Sequence, residues 1–172
     1  AGLQSITIGR DITYVAAKAF ENCKALNTVY WNAKKCASVY NYDFDIAYAT
    51  PFEPVLTQIT TFVFGKEVEI IPQHICYRLS ALSSITIPKA VNTINRSAFT
   101  YCNSLKSITV ESGNAKYDSR DNCNAIIEKT SGTLLVGCKN TVIPTSVKRI
   151  GASAFVGCSG LQSITIPNNV VT

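Results

Sequence analysis

The word SITIP, or a near-copy of it, occurs four times in the 172-residue chain, at residues 5–9, 84–88, 107–111 and 163–167. A longer pattern surrounds each copy. Counted from the landmark Leu82, apolar residues follow at fixed offsets until the next landmark, Leu105, 23 residues later. Self-similarity at a fixed period of this length is typical of proteins that stack one structural unit on the next. The pattern therefore predicts a repeat solenoid.

Four units follow the 23-residue pattern, and two others extend to 33 residues. The longer units carry Asn32 and Glu111 where the others have Gly or Pro. Because Gly or Pro at that position turns the chain after a short strand, we expect the longer units to route the chain differently. We expect one domain over 1–172, with units 3–25, 26–58, 59–81, 82–104, 105–137, 138–160 and a partial unit 161–172.

The array is open at both ends of the sequence. Solenoids need polar terminal caps to remain soluble. We therefore expect the chain to be a fragment of a longer protein.

Each word predicts a short strand with one buried face. Ile85 and Ile87 alternate with Ser84 and Thr86, and β-branched residues in period-two alternation are typical of half-buried strands. A lone strand of this length cannot bury its apolar face. Stacked at one per coil, such strands form a parallel sheet over a continuous apolar interior.

The second half of each unit predicts a short helical turn. In the segments 96–102 and 151–158, Ser97 and Ser153 precede an apolar pair and can cap the free N–H groups at a helix start. The phenylalanine and cysteine that follow in each segment are expected inside the coil.

The run LxxIxIPxxVxxIxxxAFxxCxxL closely resembles the BspA-like leucine-rich repeat family, the Treponema pallidum type of repeat. The longer elements at 29–36 and 117–144 resemble variants found in such proteins from gut Bacteroides. The resemblance implies a right-handed coil of ~23-residue units, with a parallel β-sheet on one face and short helical turns or loops opposite. It also implies a bacterial cell-surface or secreted protein, several of which adhere to host matrix proteins or other bacteria.

Composition excludes several classes of protein. The chain is 47% hydrophobic and 16% charged, so it is not disordered. It contains no apolar run of about 20 residues, and we expect no direct membrane insertion. Its net charge of +5 comes from scattered residues, which argues against a nucleic-acid partner. Seven cysteines without a CxxC pair argue against zinc, and we expect no cofactor or metal.

Catalysis has one candidate pair. His74 is the single histidine and lies two residues before Cys76. Cys76 occupies a phenylalanine position of the repeat, so its thiol should be buried and poorly nucleophilic. His74 is expected on a surface turn. We therefore expect no enzymatic activity.

The second long unit predicts a β hairpin, because NAIIEK and TLLVGC flank the turn residues TSG. This hairpin could bring Cys123 near Cys138 to form a disulfide. The favoured alternative is that Cys138, which occupies a leucine landmark, is buried and reduced. Packing also explains the repeated cysteine column better than a disulfide ladder does, since bridged Cβ atoms must lie closer than neighbouring strands.

The segment YDSRDNCN places four oxygen-bearing side chains close together: Asp118, Asp121, Asn122 and Asn124. Such a loop can hold calcium, but the EF-hand spacing and its terminal glutamate are absent. The favoured alternative is a tight turn in which Asp and Asn side chains bond their own backbone.

Most outward positions of the predicted strands are Ser or Thr, and Tyr30 is the aromatic exception. The first long unit adds aromatic and acidic residues over 38–54, of which Phe44, Tyr48 and Phe52 are candidates to fill the widened coil. Aromatic residues anchor many interfaces. We therefore predict a partner-binding site at Tyr30, Tyr40, Tyr42, Asp43 and Asp45.

The partner expected at this site is a host matrix protein, a glycan or another bacterial surface protein. The predicted function is a non-enzymatic adhesion module on a bacterial surface. The alternative is a structural spacer that presents another domain at the cell surface.

Overall fold

The computed structural model describes residues 2–37, 39 and 50–171. These ranges form short strands joined by reverse turns, with 3-10 helices at Glu53–Val55 and Arg120–Asn122 and no α-helix. The strands are β1 (Ser5–Ile8), β2 (Thr28–Trp31), β3 (Thr61–Phe64), β4 (Ile70–Ile71), β5 (Ser84–Ile87), β6 (Thr93–Ile94), β7 (Ser107–Val110), β8 (Tyr117–Asp118), β9 (Ile126–Glu128), β10 (Thr133–Val136) and β11 (Arg149–Ile150).

The strands formed by the repeated motif pair in parallel. In the sheet β1–β2–β3, Thr28 of β2 lies opposite Ser5 on one side and Thr61 on the other. Strand β5 lies beside β3 and pairs with β7, so that Ser84 is opposite Ser107. Along β5 the isoleucines are buried and Ser and Thr are exposed. The predicted strand and its alternation are confirmed.

Two smaller groups of strands flank these sheets. Strands β4 and β6 pair in parallel, one coil apart. Strands β9 and β10 form an antiparallel hairpin in which Glu128 lies opposite Thr133, as predicted for the second long unit. Strand β8 pairs with the outer edge of β9, and β11 runs parallel to β10, which gives a mixed four-stranded sheet.

The segments predicted as helical turns are chains of reverse turns, so that prediction is wrong. In 95–102, alternate N–H groups donate to the carbonyl three residues earlier, as Thr100 N does to Ser97 O at 3.3 Å. Ser97 and Ser153 have φ values of +56° and +63°, in the left-handed region, and do not cap a helix. The physical reason lies in the neighbouring coil. Turn amides donate sideways, as Arg78 N does to Thr100 O at 2.9 Å, and a helical turn would use those groups internally.

The predicted strand at 163–166 is absent from the structure, which is a second correction, and the corresponding segment 140–143 of the preceding unit forms no strand either. Alternation persists, since Thr141 and Ile143 are buried and Val142 is exposed. The neighbour of this segment, however, is the irregular chain before the hairpin. Val142 N donates to Cys123 O at 3.1 Å, so no regular ladder starts here, and the coil after it has no strand on which to pair.

Stacked coils enclose two apolar clusters. The larger one runs from Ile8 to Cys138, and a smaller one under the hairpin includes Ile127 and Leu134. Phe52 fills the first widened coil as predicted: it is 0% exposed, and its ring stacks on Phe20 with centroids 5.2 Å apart. The other two residues that were predicted to fill this coil, Phe44 and Tyr48, lie outside the described residues.

Candidate functional site

The strand face carries one exposed aromatic residue at a fixed position. Tyr30 of β2 is 43% exposed and lies between Thr7 of β1 and Val63 of β3 in the register of the sheet. Its neighbours in the chain, Val29 and Trp31, point inward and are fully buried. Because these two side chains anchor β2 in the interior, the Tyr30 ring is held on a rigid strand.

Val63 adds apolar surface directly beside Tyr30, since it is 42% exposed and occupies the paired position on β3. Farther along the same face, Ser84, Thr86 and Thr109 present hydroxyl groups to solvent. We call the pair of Tyr30 and Val63 the Tyr30 patch. Alternation along the strand predicts that Val63 faces outward, but no sequence pattern connected it with the predicted site.

Four other predicted site residues, Tyr40, Tyr42, Asp43 and Asp45, lie outside the described residues. The described residues on either side of them, Val39 and Thr50, are 0% and 1% exposed. That the four residues act together with Tyr30 stays a prediction.

His74 is buried, with 3% of its surface exposed, so the expectation of a surface histidine is wrong. Its ring makes an edge contact with the ring of Tyr77, at 5.2 Å between centroids, and this packing takes it out of solvent. Burial lowers the pKa of His74. Cys76 is fully buried as predicted, and burial raises its pKa well above the usual range, with a further contribution from Cys102. The candidate pair therefore consists of a buried imidazole and a buried, weakly nucleophilic thiol.

The cysteines of the repeat make hydrogen bonds between coils. The Cys102 thiol donates to Cys76 O at 3.0 Å, and the Cys158 thiol donates to Gly137 O at 3.5 Å. Burial raises the pKa of Cys102 to about 12 and that of Cys158 to about 11. These thiols act as small core residues that also satisfy a backbone carbonyl.

Cys123 and Cys138 are thiols despite the hairpin that follows Cys123. The Cys138 thiol donates to Asn124 O at 3.3 Å, and Cys123 lies 3.9 Å from Ala125 O. Burial raises the pKa of both groups. The hairpin forms without a disulfide at its base.

In the segment YDSRDNCN, residues 117–124, Arg120 forms an ion pair with Asp118. Nε and Nη2 of Arg120 each donate to a different carboxylate oxygen of Asp118, both at 2.8 Å. Asn124 donates its amide to Asn122 O at 3.3 Å. These bonds match the tight-turn interpretation, because they engage the Asp118 oxygens that a cation would need. Among the described residues, no group of three or more His, Cys, Asp or Glu side chains could hold a metal.

Within residues 2–37, 39 and 50–171, no helix has the length and apolar character to cross a bilayer.

The strands stack in parallel, one per coil, and reverse turns connect them. This arrangement is that of a repeat solenoid of the leucine-rich class. The chain belongs to the family described as BspA type leucine rich repeat region. The family profile matches residues 1–51 and 135–172, just over half of the chain, with 6 copies of the repeat. The resemblance stated from the sequence is thereby confirmed.

Two solved structures share this fold. A leucine-rich repeat protein from Eubacterium ventriosum matches 98% of this chain and 49% of its own length, at 21% identity and a TM-score of 0.62. The pneumococcal vaccine antigen PcpA matches 97% of this chain and 51% of its own length, at 19% identity and a TM-score of 0.59. The chain thus spans about half the length of each. A search of curated proteins found no match.

Proposed function

We propose that the chain is a non-enzymatic protein-binding module of the adhesion type, displayed on or secreted from a bacterial cell. The observation that carries this proposal is the Tyr30 patch: an exposed aromatic ring beside an exposed valine, on a face otherwise made of hydroxyl groups. Its partner is a host matrix protein or another bacterial surface protein. A glycan is the other class of partner that a test would detect.

Tyr30 has the features of a binding anchor. Tyrosine is enriched among the few residues that carry most of the energy of an interface. A ring fixed on a strand with two buried neighbours loses little conformational entropy when a partner covers it. Tyr40, Tyr42, Asp43 and Asp45 extend the proposed site within the same long unit.

The proposal includes the architecture that presents the site. We propose a right-handed coil of ~23-residue units with the boundaries given above, two of them widened. The registers of β1 on β2 and of β5 on β7, each 23 residues apart, support this unit length. Localisation outside the cell is supported by the family and by the use of the pneumococcal neighbour as a vaccine antigen.

A structural spacer is the second candidate function. The observation that favours it is the plain row of hydroxyls beyond Val63, at Ser84, Thr86 and Thr109, which offers a partner few anchors. A spacer needs rigidity but no conserved contact surface. The two functions therefore differ in whether the isolated chain binds anything through the first long unit.

Binding of the purified chain to a panel of immobilised matrix proteins, immobilised glycans and intact bacteria separates the two functions. We expect specific, saturable binding to at least one member of the panel. The double variant Tyr40→Ala/Tyr42→Ala should weaken that binding while its circular dichroism spectrum is unchanged. Absence of binding across the panel, or binding that the double variant leaves intact, would contradict the proposed site.

A further inference from the structure

A hollow with a volume of about 410 Å³ crosses three consecutive coils on the turn side of the array. It is lined by Leu56, Thr57, Arg78, Ser80, Tyr101 and Asn103. We call it the Arg78–Tyr101 groove. None of these residues belongs to the strand face, so the groove is separate from the Tyr30 patch. We propose that it binds an acidic sugar, a uronic or sialic acid residue, independently of the function proposed above.

The volume of the groove is sufficient for a small ligand. Sites for small molecules usually range from roughly 300 to 1,000 Å³. The groove also combines one cation, one exposed aromatic ring and two hydroxyl groups, which is the set of side chains that a charged sugar requires.

The backbone at Arg78 and Tyr101 gives a second reason to assign a function to these side chains. Each lies nineteen residues after its landmark, and each has a left-handed φ, +63° and +62°. At the same offset two other coils carry Asn22 and Gly157, residues that adopt this conformation readily. Asn or Gly at this position meets the conformational requirement of the turn. A bulky side chain there carries backbone strain that the fold does not need.

Arg78 supplies the positive charge of the groove. Its side chain is 58% exposed, and its ion pair in the described structure is with Glu53 at 3.9 Å, beyond hydrogen-bond distance. The guanidinium donors are therefore available to a carboxylate, which arginine binds with two parallel hydrogen bonds. Among the residues that the structure describes, Glu53 is the carboxylate that pairs with Arg78 and would compete with a ligand for it.

Tyr101 supplies the ring. It is 44% exposed, and an edge contact with Tyr77, at 5.6 Å between centroids and 80° between planes, fixes its orientation. With the Asn103 amide oriented to satisfy both of its ends, its Nδ2 donates to Tyr101 O at 3.2 Å and to Gly157 O at 2.9 Å. The backbone beneath the ring is thus tied to the next coil. An exposed, oriented aromatic ring is a suitable surface for the apolar face of a sugar.

Ser80 and Thr57 supply hydroxyl groups. Within the described part of the chain, no side-chain hydrogen bond engages either hydroxyl. Both can therefore donate to and accept from the hydroxyls of a sugar.

An acidic peptide is the competing ligand, and the backbone argues against it. An extended peptide that docks as an added strand binds largely through main-chain hydrogen bonds. Here the amides of Arg78 and Tyr101 already donate to Thr100 O at 2.9 Å and to Val156 O at 3.3 Å in the neighbouring coils. The groove therefore offers side-chain hydroxyls and a ring rather than a free backbone edge.

The test compares methyl β-D-glucuronide with methyl β-D-glucoside, two sugars that differ in one carboxylate. Binding to the purified chain is followed by NMR titration. We expect the glucuronide to bind about tenfold tighter than the glucoside, which corresponds to about 1.4 kcal/mol, because Arg78 can bind its carboxylate with two parallel hydrogen bonds. The variant Arg78→Asn should abolish this preference, and Tyr101→Asn should weaken the binding of both sugars.

These variants are designed to fold, because Asn22 occupies the same position of the repeat with the same backbone conformation. Arg96→Gln is the matched control, because Arg96 is exposed and lies outside the groove. Like Arg78→Asn, this substitution removes one positive charge. Glu53→Gln removes the competing carboxylate and should strengthen glucuronide binding several-fold while leaving the glucoside unchanged.

Equal binding of the two sugars, or no binding of either at its solubility limit, would overturn the proposal. An equal loss in Arg96→Gln and Arg78→Asn would overturn it too, because the attraction would then be unspecific. A triglutamate peptide that displaces the glucuronide and binds more tightly would assign the groove to acidic peptides instead.

Discussion

The thiol of Cys102 donates a hydrogen bond to the backbone carbonyl of Cys76 on the preceding coil, with 3.0 Å between sulfur and oxygen. Both residues are buried, and burial holds the thiol of each in its neutral form. The cysteine column of this chain therefore joins successive coils by hydrogen bonds, where a disulfide ladder would join them covalently. This role makes the stability of the array sensitive to high pH.

The first prediction concerns that sensitivity. The pKa of Cys102 rises from 9.0 to about 12 on folding, so the unfolded chain loses this proton first as the pH increases. The contribution of Cys102 to stability is complete below about pH 9 and falls as the pH rises towards 12. Its slope reaches about 1.4 kcal/mol per pH unit.

The measurement is the difference in unfolding free energy between the wild type and Cys102→Ala. At about pH 8 we expect the variant to be less stable by about 1–2 kcal/mol, through the lost thiol packing and hydrogen bond. Between about pH 9 and 11 the difference should shrink and then reverse. A difference that is constant over this range would contradict a buried, neutral thiol.

The second prediction concerns strained turns. Lys18 is exposed and has a φ of +56°, a conformation that lysine adopts at a cost and glycine adopts freely. Lys18→Gly should therefore stabilise the chain by about 1 kcal/mol in chemical denaturation. Lys24→Gly is the matched control, because Lys24 is exposed and has no left-handed φ. This substitution should lower the stability of the chain by about 0.4–1 kcal/mol. Destabilisation by both variants would refute the left-handed turn.

The third prediction concerns the approach of two coils. A Cβ atom on Gly157 would lie 2.3 Å from Cα of Tyr101, and Gly157 has a φ of +86°. Gly157→Ala should therefore lower stability by about 2 kcal/mol or more, which corresponds to about 4–8 °C in Tm for a chain of this size. Gly9→Ala is the control, because its nearest contact would be an ordinary 3.8 Å to Ile12. Similar melting temperatures for the two variants would contradict the close contact.

Sequence patterns predicted the interior of the coil well. Alternation placed Ile85 and Ile87 inside and Tyr30 outside, because a pleated strand with one buried face must repeat every two residues. The TSG turn predicted the hairpin of β9 and β10 for a similar reason: its flanking runs alternate and its centre requires turn residues. In both cases a local physical rule fixes the structure.

The turn side was less predictable. A seven-residue segment such as 96–102 is compatible with one helical turn or with successive reverse turns, and the choice depends on bonds to the next coil. The burial of His74 follows from the same turns. The Arg78–Tyr101 groove was missed because its offset holds Asn22, Arg78, Tyr101 and Gly157, which share no chemistry. Asn and Gly at one offset were the signal that a left-handed residue belongs there.

If the strand face binds a partner through Tyr30, as we propose, replacement of Tyr30 must weaken that binding. The affinity of Tyr30→Ser is compared with that of Tyr14→Ser, since Tyr14 is 49% exposed but lies outside the strands. The probe is the matrix protein or bacterium that the wild type binds most tightly. An aromatic side chain that a partner covers contributes about 2 kcal/mol or more to the binding free energy. Tyr30→Ser should therefore reduce the affinity about 30-fold, while the affinity of Tyr14→Ser stays near that of the wild type. Equal affinities for both variants would contradict the claim.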